Sequence, residues 1–392
     1  MRKSAASIGV LVCVGAAALA AVGFAQRGHD FDGPPQVTGR AYVANEATGT
    51  VSVIDTDRDT IVATICLGSD PPIAGTPQPA GPCNAERDHH QPLYNGHVDP
   101  HGLWLTPDAS VLLVANRISG TIVAVATRTN RPLGYLPVGR EPHLATVAPN
   151  GAEAWAAIRG ENYVEVVELD RGELFDASRL RTERLRSVEK IPTVHGPSMV
   201  SFSPDGRHAF VAAAKQARVD KIDTARREVI RTRAVAAPFT PFGMVTEDGR
   251  ELYLVHKGAG TLSVLRARNL RPIVESLPVG ARPNHVAFVG RYAYVTVAGP
   301  PGGNGKVVIL DRVRHSVVRE LTGPEFAGEP HGIWPIGDGK LYVGYETGNR
   351  VGIILTGDPG DATDDAFAGS VGGSAADLAF LRKPIDIVAT GH

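Results

Sequence analysis

Cysteine is scarce in this chain of 392 residues, which has only Cys13, Cys66 and Cys83. None belongs to a Cys-x-x-Cys-His run, so covalent haem of the c type is excluded. An excess of charge of one sign is also missing. The 40 Lys and Arg nearly balance 41 Asp and Glu, and no basic face or tail stands out, which argues against nucleic acid or an anionic membrane as partner. No Gly-x-Ser-x-Gly occurs, and no Gly-rich phosphate loop follows a strand. Gly302-Gly303-Asn304-Gly305 reads as a flexible hairpin turn. With no evident nucleophile, hydrolysis through a covalent intermediate is disfavoured. The apolar run Ile8 to Val22 is 15 residues long, short of the roughly 20 that span a bilayer as a helix.

What is there begins with that run. Arg2 and Lys3 precede it and Gly23-Phe24-Ala25 follows, the pattern of a secretory signal peptide over residues 1–25, with an uncleaved anchor as the alternative. A linker over 26–38 then leads into the fold, and the expected location is periplasmic or secreted, with no membrane span in the mature chain. Without Arg2 and Lys3 the mature chain carries 38 basic and 41 acidic residues, a formal charge of −3. In an oxidising compartment its two cysteines, Cys66 and Cys83, are expected to pair. Two independent buried thiols are the alternative.

One segment recurs along the mature chain: a proline at the mouth of a strand, often followed by His. It appears as Asp99-Pro100-His101-Gly102, Glu141-Pro142-His143, Gly196-Pro197-Ser198, Thr240-Pro241-Phe242, Arg282-Pro283-Asn284-His285 and Glu329-Pro330-His331-Gly332. Successive prolines lie 42 to 55 residues apart, and each unit carries short alternating strands separated by turns. That period predicts an all-β fold, a seven-bladed β-propeller over 39–392, with six or eight blades also compatible. Blades two to seven open at these prolines. The first blade, built from Arg40–Asn45, Thr50–Asp55 and Ile61–Cys66, lacks an inner strand, and Ala376–Phe380 is expected to supply it and close the ring. Residues 69–99, with His89, His90 and His97, form an insertion. Residues 173–188, rich in Arg, read as a solvated excursion of the third blade.

Two sets of loops should open on one face of such a ring. The proline register supplies His101, His143, Ser198, Phe242, Asn284 and His331, with His285 displaced by one. Positions 16 to 18 residues later supply Arg117, Arg159, Lys215, Lys257 and Glu346, with Glu46 as the first-blade counterpart. The expected result is a funnel lined by imidazoles and rimmed by cations and carboxylates. His101, His143, His331 and Glu346, then Glu329 and His285, suit a divalent transition metal such as copper or zinc, or magnesium. Arg117, Arg159, Lys215, Lys257 and Glu46 suit a small-molecule ligand. A structural role in bonding neighbouring blades is the alternative for each imidazole. His208, His256 and His315 fall off the register and read as ordinary surface or loop residues.

Arg40-Ala41-Tyr42-Val43-Ala44-Asn45, Gly49-Thr50-Val51-Ser52-Val53-Ile54-Asp55 and Ala293-Tyr294-Val295-Thr296-Val297 resemble the repeat of the YVTN, or YncE-like, β-propellers. The resemblance covers nearly all of the mature chain and implies a secreted or periplasmic seven-bladed ring near the haem d1 propellers. Glu329-Pro330-His331-Gly332-Ile333 followed by Tyr345-Glu346-Thr347-Gly348-Asn349 is similar to the last blade of virginiamycin B lyases. That likeness implies Glu329 and Glu346 on a metal and His331 as catalytic base. The lyases also use an Arg-Pro-His in the preceding blade, where this chain has Arg282-Pro283-Asn284-His285. The Glu-Pro-His segments are similar, more loosely, to copper-cluster propellers. The readings carried forward are a module binding a metal, a small molecule or a periplasmic protein at its funnel; a metal-dependent lyase; and a haem-d1-like or copper redox propeller.

Overall fold

In a computed structural model the described residues are 39–67, 98–169, 185–337 and 339–390. They form seven four-stranded antiparallel sheets, all within one unit spanning 32–392. The inner strands Pro384–Ala389, Pro100–Leu105, Pro142–Val147, Pro197–Phe202, Phe242–Val245, Pro283–Val289 and Pro330–Gly337 contact one another in that order around a closed ring. The chain is therefore a seven-bladed β-propeller. Each blade passes from a buried second strand, such as Val111–Asn116, to a more exposed outer strand such as Glu228–Ala234. Apolar faces pack blade against blade, and closure leaves only short inner edges, turned to the axis and protected there. Among the described residues, no helix is long and apolar enough to cross a membrane.

The closing strand differs from the expected one. Ala375–Phe380 is a short helix whose cap, Ser374, accepts from the Asp377 amide. Its run of good helix formers after a Ser cap accounts for that choice. Closure falls instead to Pro384–Ala389, which pairs antiparallel with Arg40–Asn45, Ala41 opposite Ala389 and Val43 opposite Ile387. Every residue of this strand is buried, and Pro384 is a further copy of the recurring proline.

The third blade's outer strand is Leu185–Pro192, so the end of the supposed excursion is regular sheet. Residues 1–38, with the leader and linker, and 68–97, with Cys83, His89, His90 and His97, lie outside the described residues. Cys66 ends the outer strand of blade one. His256, expected at the surface, is fully buried, with Nδ1 2.8 Å from Thr240 Oγ1 and Nε2 2.7 Å from Ser263 Oγ.

Candidate functional site

Each inner strand opens on a strained residue. The residue before the proline has positive φ in six blades: Asp99 (53°), Glu141 (52°), Gly196 (71°), Arg282 (60°), Glu329 (62°) and Lys383 (54°). In blade five Phe239 (63°), two residues before Pro241, takes this part. Proline normally drives its predecessor to extended backbone, and a non-glycine residue in the left-handed region costs on the order of 1–3 kcal/mol. One hydrogen bond per blade holds the kink. The kinked residue's carbonyl accepts from the second-strand hairpin: Asp99 from Arg117 (2.9 Å), Glu141 from Arg159 (3.0 Å), Gly196 from Ala214 (2.7 Å), Phe239 from Lys257 (2.9 Å), Arg282 from Ala298 (3.0 Å), Glu329 from Glu346 (3.0 Å) and Lys383 from Glu46 (3.1 Å). Two side chains per blade are thus set side by side at the rim. Lys215 lies one residue past this register, which Ala214 occupies, and it is exposed.

In every blade but the fifth a β-bulge follows the proline. Pro100 pairs with Asn116 and Gly102 with Ala115, while in blade six Pro283 pairs with Val297 and Val286 with Val295. One extra residue on the inner strand breaks the usual alternation, so two consecutive side chains can turn to the axis. This is how His285 reaches the centre although it stands one position beyond His101, His143 and His331. The same device delivers Asp386 from blade one, a residue that sequence reasoning missed. Pro384 was the signal for it: Asp386 stands to Pro384 as His285 stands to Pro283.

The result is a cavity of about 10 Å³ on the axis, lined by His101, His143, His285, His331, Phe242 and Asp386 among others. That is room for roughly one water or ion. The four imidazoles are 6–8% exposed. His101 Nε2 stands 2.9 Å from His143 Nε2, while His101 Nδ1 stands 3.0 Å from Glu46 Oε1. His331 Nδ1 donates to the Ile385 carbonyl at 2.8 Å. The ring of His285 lies 4.9 Å from that of His331 and stacks on Phe242 at 4.2 Å. Donation through Nδ1 leaves Nε2 of His101 and His331 as lone-pair atoms. Gly102 and Gly332 let the blades approach this closely, since a Cβ would meet the His143 carbonyl at 2.3 Å or that of Ile385 at 2.7 Å.

Burial governs protonation here. It pushes His101 down to about 4 against the opposing pull of Glu46, and His285 to about 3, while His143 and His331 fall well below their ordinary value, with nearby cations and imidazoles adding to the burial. All four are neutral at pH 7. Burial drives the Asp386 carboxyl up to about 7 against the amides of Leu103 and Ile387, each 2.9 Å away. Its Oδ1 is 3.8 Å from His285 Nδ1.

Above the imidazoles the rim is divided. Glu46, buried, meets Arg117 at 2.6 Å and is ion-paired with Lys383, which also lies 3.6 Å from Glu346. Burial would raise the Glu46 carboxyl, but the His101 hydrogen bond and the Arg117 and Lys383 charges hold it well below the usual range. Arg117 also meets Asp99 at 3.0 Å, yet burial and the Glu46 charge push Asp99 up to about 7. Glu329 pairs with Arg282 at 2.7 Å. Glu329 and Glu346 are thus engaged by rim cations, whereas His331 is anchored below them to Ile385. Among the described residues, no three His, Cys, Asp or Glu side chains already stand as a metal centre.

No protein-family model matches the chain, and no curated protein matches it in sequence. Solved structures do. Hydrazine synthase of Kuenenia stuttgartiensis is 21% identical with a TM-score of 0.59, over 70% of this chain and 86% of that one. A functionally unknown protein from Desulfotomaculum acetoxidans DSM 771 is 12% identical with a TM-score of 0.63, over 89% and 98%. The β-propeller domain of Myceliophteria thermophila Cps50 (Swd1) is 19% identical with a TM-score of 0.60, over 81% and 94%. At these identities the likeness speaks for the fold alone, and a seven-bladed propeller is compatible with a binding module.

Proposed function

We propose that this chain is a periplasmic or secreted propeller of the YVTN type that binds a single transition-metal ion, copper or zinc, in its axial imidazole cavity. The observation that carries this reading is the pair of facing nitrogens, His101 Nε2 and His143 Nε2, 2.9 Å apart in a cavity of about 10 Å³. With metal–nitrogen bonds of about 2.0–2.1 Å, that separation corresponds to an angle of about 90° at the ion. Glu46 on His101 Nδ1 and the Ile385 carbonyl on His331 Nδ1 are the outer partners that hold the proton on Nδ1 and leave Nε2 to ligate. The imidazoles are neutral and need shed no proton to bind. A small swing of His331 or His285 completes a set of three nitrogens, with the Asp386 carboxylate as a further donor. Neutral imidazoles favour zinc and copper over magnesium.

The lyase reading has less support. It needs Glu329 and Glu346 on the metal, and both are held by cations above the imidazole layer. A haem is too large for the axial cavity and would have to lie on the open funnel.

Titration of chelator-treated protein with Zn²⁺, and with Cu²⁺ or Co²⁺ as visible probes, tests the proposal. One equivalent should bind with ligand-field bands typical of nitrogen donors. The His101→Ala, His143→Ala, His331→Ala triple variant should lose that binding by at least 100-fold. Unaltered stoichiometric binding in the variant would refute the site.

A further inference from the structure

Two of the rim's cations stand outside its ion pairs. Glu46, Asp99, Glu329 and Glu346 engage Arg117, Lys383 and Arg282 on blades six, seven, one and two. Arg159 on blade three and Lys257 on blade five have no ion-pair partner among the described residues. Arg159 Nε is buried without a hydrogen bond, and the nearest rim carboxylate by sequence, Glu141, is exposed and makes no ion pair with it among the described residues. Both cations flank one ring, with Arg159 Cζ 5.8 Å and Lys257 Nζ 5.9 Å from the Phe239 centroid. Phe239 is itself the kinked residue of its blade. Burial lowers the ordinary pKa of both groups, Arg117 adding to the effect at Arg159, while the more distant carboxylates Glu141 and Glu46 oppose it there and Glu346 and Glu329 oppose it at Lys257. Between them blade four places Ala214 and Gly196 at the rim, with the exposed Lys215 side chain packed over Gly196.

Two partly desolvated cations without a direct ion pair are costly to hold, and an anion between them would complete both. Their influence reaches the cavity: Arg159 acts on His101 and His143, and Lys257 on His285 and His331. We infer that the cavity's ligand is a small oxyanion, a carboxylate or an inorganic oxyanion, held by Arg159 and Lys257 on the blade-three-to-five side with one oxygen directed to the axial imidazoles. This deepens the metal reading and rests on it for that last oxygen, since an ion ringed by neutral imidazoles leaves its own charge to be balanced. Arg159 supplies the planar fork that suits two oxygens and Lys257 a point charge. Phe239 shields the pair from water.

Calorimetric titration with inorganic phosphate and with succinate, in chloride buffer and on both chelator-treated and Zn²⁺-loaded protein, tests this. One saturable site is expected, tighter in the loaded protein and weakened by salt. The Arg159→Gln, Lys257→Met double variant should bind at least tenfold more weakly, while Arg226→Gln, an exposed cation on the turn into an outer strand, should match the parent. An unchanged thermal midpoint, or recovery in Arg159→Lys, shows that loss is not misfolding. Phosphate alone would specify an inorganic oxyanion, and succinate alone a carboxylate. Zinc uptake without any saturable anion binding, or anion binding unaltered by the double variant, would overturn the inference. Anion binding to a protein that takes no zinc would sustain it while removing the metal.

Discussion

Acid should unfold this protein steeply, and the slope can be worked from its buried groups. Burial depresses His101 and His256 to about 4 and His285 to about 3, and holds His143 and His331 well below their ordinary value. A depressed imidazole contributes stability above its unfolded value of about 6.5, and that stability is lost as pH falls towards the folded value. Asp99 and Asp386, raised to about 7 by burial, act oppositely. Their stability is full below about 4 and lost as pH rises towards 7. Between about pH 5 and 6, then, unfolding takes up five protons at imidazoles and releases two from carboxyls, a net three. At about 1.4 kcal/mol per proton per pH unit, stability should drop by about 4 kcal/mol for each unit of acidification. The His101→Ala, His143→Ala, His331→Ala triple variant removes three of the five and should show almost no slope. Urea unfolding followed by tryptophan fluorescence at pH 5, 5.5 and 6, on metal-free protein, gives the comparison. Equal slopes in parent and variant would mean that these imidazoles are charged in the fold, and the account of the cavity would fail.

The close approach of blades two and three gives a sharper local test. In Gly102→Ala the new Cβ would meet the His143 carbonyl at 2.3 Å and Leu144 Cα at 2.8 Å, so a loss of about 1–3 kcal/mol is expected. Gly372→Ala, whose nearest atom would be at 3.7 Å, should change stability by less than about 0.5 kcal/mol, and chemical denaturation of both separates the cases. If Cys66 and Cys83 pair, closing that loop contributes about 3 kcal/mol on the chain-entropy model. Alkylation without reductant followed by intact-mass measurement should then find neither thiol labelled.

Much of this protein was legible in its sequence because a propeller repeats. The recurring proline, the buried second strands and the turns give blade number and order from local chemistry alone. That His101, His143 and His331 share one height along the axis follows from equal register in equivalent blades. Two things did not follow. Ala376–Phe380 and Pro384–Ala389 both offered a short apolar segment for closure, and pairing with Arg40–Asn45, more than 330 residues away in the chain, selected the second. The membership of His285 and Asp386 in the cavity depended on the bulges after Pro283 and Pro384, since strict alternation would turn both away. Ion pairing was equally invisible: Arg117, Arg159 and Lys257 occupy the same register, yet only their neighbours across the ring decide which is neutralised. Sequence determined the periodic elements because these depend on near neighbours. Tertiary structure decided the site because it is assembled from residues that meet only when the ring closes.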